Sequence, residues 1–215
     1  MLNVHLAQLN PTVGDITNNC KQICEIIRDC QNQSIDLLVF SECVLIGYPP
    51  LDLLTYNVVF VDLQKALDLI KEESRQCPEL SILLGTPVKE GSVITNSALV
   101  IQNGIVVFRQ DKLLLPNYDV FDERRYFKTG SKQRIFICQG KKIGITICED
   151  AWFDAVSVAG QYNENPLTFF KSSAVDMLVN IAASPFEVGK PNYRYELFAK
   201  HAKLLQVPVV MINQV

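Results

Sequence analysis

Three side chains with useful chemistry stand where apolar runs end. Ile143, Ile145 and Ile147 alternate with Gly144 and Thr146, the two-residue period of a strand, and the run stops at Cys148 with Glu149 and Asp150 directly behind it. Asp36-Leu-Leu-Val-Phe-Ser-Glu42 leads core residues into Glu42, and Ile105-Val-Val-Phe-Arg-Gln-Asp-Lys112 leads them to Lys112. A thiol, a carboxylate and an ammonium thus each lie at or just past the C-terminal end of a predicted strand. In open α/β sheets such ends line the binding crevice, so the three are read as one site. Each has a plainer reading when taken alone: a small buried Cys, a Glu closing a strand, a solvated Lys.

A nucleophilic Cys needs a base to take its proton and a positive field to hold the thiolate. The usual base is His, but His5 falls inside the first strand and His201 inside a helix, both structural places. A carboxylate can serve when burial raises its pKa, and Glu42 follows the run Leu-Leu-Val-Phe-Ser. Lys112 would favour the thiolate and stabilise an oxyanion beside it. Beyond it, Leu113-Leu-Leu-Pro116 buries the chain, and the aromatic and charged run from Asn117 to Phe127 reads as a site wall. A rival scheme gives Glu42, Glu149 and Asp150 to magnesium, but it leaves the strand-end Cys without a role, because thiolate is a poor magnesium ligand.

The elements that must position these residues follow from periodicity. Residues 2–9 alternate as a strand broken by Pro11 and Gly14, and Asp15 or Thr17 can cap a helix through Cys20, Ile23, Cys24, Ile27 and Cys30. A strand over 37–41 follows, then the rigid loop Gly47-Tyr-Pro-Pro50, a helix from Val58 to about Arg75, and a short buried strand Ile82-Leu-Leu-Gly85. Asn103-Gly104 predicts a tight hairpin between 97–102 and 105–109, and Gln139-Gly140 a second one between 134–138 and 143–148. The chain then alternates again: strand 176–182, helix 192–205, strand 208–213. Helix–strand alternation at both ends with hairpins between predicts a mixed α/β sheet covered by helices.

The 215 residues suffice for one large domain, and 48% hydrophobic with 20% charged residues excludes a disordered chain. A net charge of −3 without a basic block argues against a nucleic-acid footprint. No apolar run approaches the roughly 20 residues of a membrane span, and Met1-Leu-Asn-Val-His-Leu-Ala7 lacks the marks of a signal peptide. Seven Cys without paired spacing argue against a secreted disulfide framework and for a reducing cytoplasm. Cys20, Cys24 and Cys30 lack the tight pair and fourth ligand of a zinc site and are expected in the core. The end at Met211-Ile-Asn-Gln-Val215, just past a core strand, points to a piece of something longer.

These residues resemble the nitrilase superfamily, whose members use Glu, Lys and Cys in that chain order. More narrowly, Ser41-Glu42 with Gly47-Tyr-Pro-Pro-Leu-Asp-Leu-Leu54, the block from Lys112 to Phe127, and Ile147-Cys-Glu-Asp-Ala-Trp152 resemble the glutaminase domain of the glutamine-dependent NAD synthetases, over nearly the whole chain. The resemblance implies Glu42 as general base, Cys148 as nucleophile, Lys112 as stabiliser of the tetrahedral intermediate and Glu123 as a second carboxylate positioning Lys112. It implies Tyr118, Ser184 and Lys190 as glutamine contacts. A free amino acid needs a cation for its α-carboxylate, and Arg194 is an alternative to Lys190. The implied fold is an α-β-β-α sandwich with mixed sheets in a homo-oligomer, here truncated at its C-terminus. The glutaminase step would need no cofactor; ATP, magnesium and deamido-NAD would belong to a synthetase domain whose Ser-Gly-Gly phosphate loop is not in residues 1–215. A nitrilase-like amidase for another small amide, or a non-catalytic binding or oligomerisation module, are the other expectations.

Overall fold

The computed structural model describes residues 1–31, 33–155 and 160–215. Two mixed sheets face each other, with helices on the outer side of each. The first sheet has the order β1 (Val4–Ala7), β2 (Leu37–Phe40), β3 (Ser81–Glu90), β4 (Val93–Gln102), β5 (Ile105–Asp111). Its first three strands pair in parallel and its last three form an antiparallel meander. The second has the order β6 (Ile135–Cys138), β7 (Lys141–Ile147), β8 (Met177–Ala182), β9 (Val209–Asn213), with β6 antiparallel and the others parallel.

Alternation decides which layer each side chain enters. Leu37 and Val39 of β2 point between the sheets, where they join Leu83, Val100, Ile143, Ile145, Ile147, Val179 and Ile181. Leu38 and Phe40 point the other way and pack with Ile23 and Ile27 of α1 (Ile16–Asp29) and with Leu63, Ala66 and Ile70 of α2 (Asn57–Ser74). On the far side, Phe170 of α4 (Leu167–Ser172) packs on Leu178, in the space left because residue 144 is glycine. The fourth layer is completed by α5 (Lys190–Leu205), whose Leu197 and Phe198 pack with Trp152.

Local signals account for the boundaries. Asp15 caps α1 by accepting from the Asn18 amide. Asn103 and Gly104 both have positive φ, as do Gln139 and Gly140, the geometry a two-residue hairpin demands. Cys20 and Cys24 are buried on α1, as expected of core positions. Several boundaries differ from the sequence reading. The first strand is shorter, because only Val4–Ala7 pairs with β2. The strand expected to stop at Gly85 runs on through Pro87 to Glu90, because β4 pairs with it throughout. A proline is tolerated there since β2 pairs only with residues 81–83, leaving β3 beyond them a strand neighbour on one side. Helix α5 begins two residues early, at Lys190. Cys148 is not the last residue of β7 but the first of a 3₁₀ turn, Cys148–Ala151.

Candidate active site

The ends of β2, β5, β7 and β8 converge at one edge of the sandwich. Glu42 lies just past β2 and is fully buried. Its Oε1 accepts from Lys112 Nζ at 2.8 Å and from Asn96 Nδ2 at 2.7 Å, and its Oε2 accepts from the Ala183 amide at 2.9 Å. One carboxylate therefore ties the first sheet to the end of β8 in the second. Gly85 makes this possible: a Cβ there would stand 2.6 Å from Glu42 Cα and 2.5 Å from the Cys43 nitrogen.

Lys112 follows β5 and is 1% exposed. Its ammonium donates to Glu42 and, at 2.6 Å, to Glu123 Oε1 on α3 (Glu123–Tyr126). Burial opposes its charge, but Glu123 and then Glu42 outweigh that and hold the ammonium well above the usual lysine range. Two of the three N–H donors are committed, which leaves one for a substrate oxygen. Glu123 Oε1 also accepts from the Tyr48 hydroxyl at 2.8 Å, while Oε2 is buried without a partner. Burial, only partly countered by Lys112, lifts this carboxyl to about 7.

Cys148 is 5% exposed and has φ of +43°, left-handed for a residue with a side chain. Such a conformation costs about 1–2 kcal/mol. It survives because the turn is held from two sides. Asn180 of β8 donates to the Cys148 carbonyl at 3.2 Å and to Thr146 Oγ1 at 3.0 Å. Asp150 Oδ2 accepts from the Ile147 amide at 3.1 Å, and its Oδ1 from the amides of Leu113 and Leu114 at 2.9 and 2.8 Å, so one carboxyl fastens the Cys148 turn to the segment after Lys112. Burial and the nearby Glu42 push the Cys148 thiol well above its ordinary range against the pull of Lys112. A resting neutral thiol with a carboxylate and an ammonium in its field is the setting in which a base must act during attack.

A cavity of about 670 Å³ opens on Cys148. Tyr118, Ser184 and Lys190, the three expected contacts, line it together with Glu149 and Trp152. Lys190 lies over the Trp152 ring at 5.5 Å. Arg194 lines an adjoining cavity of about 500 Å³ that also touches Ser184 and Lys190. Its Nε is buried without an acceptor, and burial depresses its guanidinium pKa. The carboxylates of the magnesium scheme face different partners: Glu149 accepts from the hydroxyls of Tyr118 and Tyr162 at 2.9 and 3.1 Å, Asp150 from backbone amides, Glu42 from Lys112. Among the described residues, no group of three or more His, Cys, Asp or Glu is arranged to hold a metal ion. His201 is buried with Nε2 2.7 Å from the Ala151 carbonyl, a structural place.

The carbon-nitrogen hydrolase family model matches residues 3–215. The chain belongs to the carbon-nitrogen hydrolase family. Similar proteins include the glutamine-dependent NAD(+) synthetase of Synechocystis sp., 40% identical over 100% of this chain and 40% of that protein. The protein of that name from Thermotoga maritima is 35% identical over 100% of this chain and 35% of its own length. The chain thus spans two-fifths or less of these relatives. The solved glutamine-dependent NAD+ synthetase from Acinetobacter baumannii, in complex with ADP, superposes with a TM-score of 0.87 at 33% identity over 99% of this chain and 38% of that one. An amidase from Nesterenkonia sp. superposes at 0.82 over 99% of this chain with 16% identity, a likeness of fold alone.

Four residues of this candidate site escape a reading of the sequence. Asn96, Asn180 and Tyr48 were not singled out, and Asp150 was considered only for magnesium. The available signals were polar residues inside apolar strands: Thr95-Asn96-Ser97 opens an otherwise apolar stretch of β4, and Asn180 interrupts Met-Leu-Val and Ile-Ala in β8.

Proposed function

We propose that this chain hydrolyses glutamine to glutamate and ammonia through a thioester on Cys148, and that in a longer protein the ammonia feeds an ATP-dependent amidation of deamido-NAD to NAD. The observation that carries the reading is the Glu42–Lys112–Glu123 network beside a buried, strained Cys148 at the floor of a cavity. The names and 35–40% identities of the relatives support the substrate.

The Cys148 proton passes to Glu42 as Sγ attacks the side-chain amide carbon. The oxyanion is held by the free N–H of Lys112. As the tetrahedral adduct collapses, the C–N bond breaks and Glu42 returns the proton to the departing nitrogen, releasing ammonia. Water, deprotonated by Glu42, then attacks the thioester; the C–S bond breaks and the proton returns to sulfur. Glu123 keeps Lys112 in place. Tyr118 and Ser184 contact glutamine, and Lys190, on the cavity wall, is the cation for its α-carboxylate, with Arg194 behind it. The glutaminase step needs no cofactor; ATP, magnesium and deamido-NAD belong to the synthetase step. A cytoplasmic location fits seven free cysteines, and no described helix is long and apolar enough to cross a membrane. Exposed Val58, Val61 and Leu69 on α2 fit a homo-oligomer.

Assay of released ammonia over a panel of ω-amides tests the substrate. Glutamine is expected to be preferred, and equal turnover of simple aliphatic amides would make this a general amidase. Cys148→Ala is expected to abolish hydrolysis and, in a protein that also carries the synthetase domain, to leave NAD formation from free ammonia intact. An electrophilic glutamine analogue should label wild-type Cys148, and an inert binding module would stay unlabelled.

A further inference from the structure

Asn96 lies in the middle of the active-site network, fully buried in β4. Its side-chain amide donates to Glu42 Oε1 at 2.7 Å. Its side-chain oxygen faces the Cys43 thiol at 3.6 Å, so the amide orientation is set from both ends. Its backbone carbonyl accepts from the Lys112 amide at 2.8 Å. One residue therefore touches the proposed base through its side chain and the proposed cation through its main chain.

Counting lone pairs shows what this contact does. Each carboxylate oxygen offers two acceptor sites. On Glu42, Oε1 receives Lys112 and Asn96 and is full, whereas Oε2 receives only the Ala183 amide and keeps one site open. We propose that Asn96 is a positioning residue that fixes the Glu42 carboxylate so that Oε2 is the oxygen that takes the Cys148 proton. Without the Asn96 amide, Oε1 regains an open site and the carboxylate loses one of the three donors that stop it from turning about its terminal bond. The proposal rests on the acid–base role of Glu42 given above but not on glutamine as the substrate.

The test uses Asn96→Asp, which keeps size and the oxygen toward Cys43 but replaces the donor, and Asn96→Ala, which removes both groups. Three readouts are taken: the thermal midpoint, kcat and KM for glutamine, and the rate at which iodoacetamide alkylates Cys148. A misplaced general base costs on the order of 100-fold. Folded variants are expected to lose kcat by about that factor, with KM within about three-fold of wild type and slower alkylation. Adding Asn96→Ala to Glu42→Gln is expected to lower the residual rate no further, because the amide then has no base to position. Overturning results are kcat within about three-fold of wild type in a folded variant, a double variant slower by the full product of the single effects, or unfolding of both variants, which would reassign Asn96 to the fold. If wild type releases no ammonia from glutamine while alkylation still depends on Asn96, the substrate reading fails and this one stands.

Discussion

Glu123 holds a carboxyl at about 7 because burial favours its neutral form more than Lys112 favours its charge. The sign of the linkage is opposite to that of an ordinary paired carboxylate. The folded state binds this proton more tightly than the unfolded chain between the ordinary 4.5 and about 7, so the stability Glu123 contributes is present at low pH and falls as pH rises through that window. Asp150, lifted by burial from 3.8 to about 7, acts in the same direction. Glu123→Gln is expected to flatten the fall of denaturation midpoint between pH 5 and 7 while lowering kcat, since Lys112 keeps an acceptor oxygen there but loses the carboxylate charge that anchors it. Urea titrations at several pH values check the first outcome and steady-state kinetics the second; an unchanged pH slope would mean that Glu123 does not carry the proton. Substituting Asp150 is costlier. Asp150→Ala strands the amides of Ile147, Leu113 and Leu114, each worth about 1–3 kcal/mol when buried unpaired. Loss of at least about 3 kcal/mol of stability is expected by chemical denaturation, with activity lost alongside because the Cys148 turn is released from the Lys112 segment.

Strands deliver the polar groups of the candidate site, but contacts between strands aim them. Glu42 leaves β2 beside Gly85 of β3, and the Gly85 amide donates to the Ser41 carbonyl at 3.1 Å. Their backbones approach so closely that a Cβ would lie 2.5 to 2.8 Å from three backbone atoms of residues 41–43. None of these can swing aside as a side chain would. Gly85→Ala is therefore expected to cost about 1–3 kcal/mol through overpacking. It should also cost activity beyond the loss of folded protein, because the atoms displaced carry Glu42. A thermal melt and a kcat measured on the folded fraction check it; wild-type kcat in a destabilised variant would show that the strand shift does not reach the carboxylate. In the facing sheet, the turn after β7 depends on β8, whose Asn180 holds the Cys148 carbonyl.

At the scale of the whole molecule, the two sheets share one core and the site spans both. Glu42 and Lys112 come from the first sheet, Cys148 and Ala183 from the second, so any slip between sheets separates the proposed base from the proposed nucleophile. Ile145 lies in that shared layer at 1% exposure. Ile145→Ala is expected to cost about 2–5 kcal/mol and to melt both sheets in one transition, observed as coincident far-UV circular dichroism and tryptophan fluorescence curves. Separate transitions would mean that the sheets are independent units.

The chain by itself determined most of the elements, both hairpins and the three candidate side chains of the site. It could do so because period-two alternation, Asn-Gly and Gln-Gly turns and polar residues at strand ends are local signals. Cys148, Glu42 and Lys112 were legible as strand ends, and the motif around each carried the family likeness. Only the tertiary structure decided that the Glu42 carboxylate bridges the sheets, that Asp150 fastens the Cys148 turn to the segment after Lys112, and that Asn96 and Asn180 face the site. Those facts depend on partners 32 to 141 residues away in the chain. A hydrogen bond is a statement about positions in space, and distance along a sequence carries no record of it until the sheets have packed.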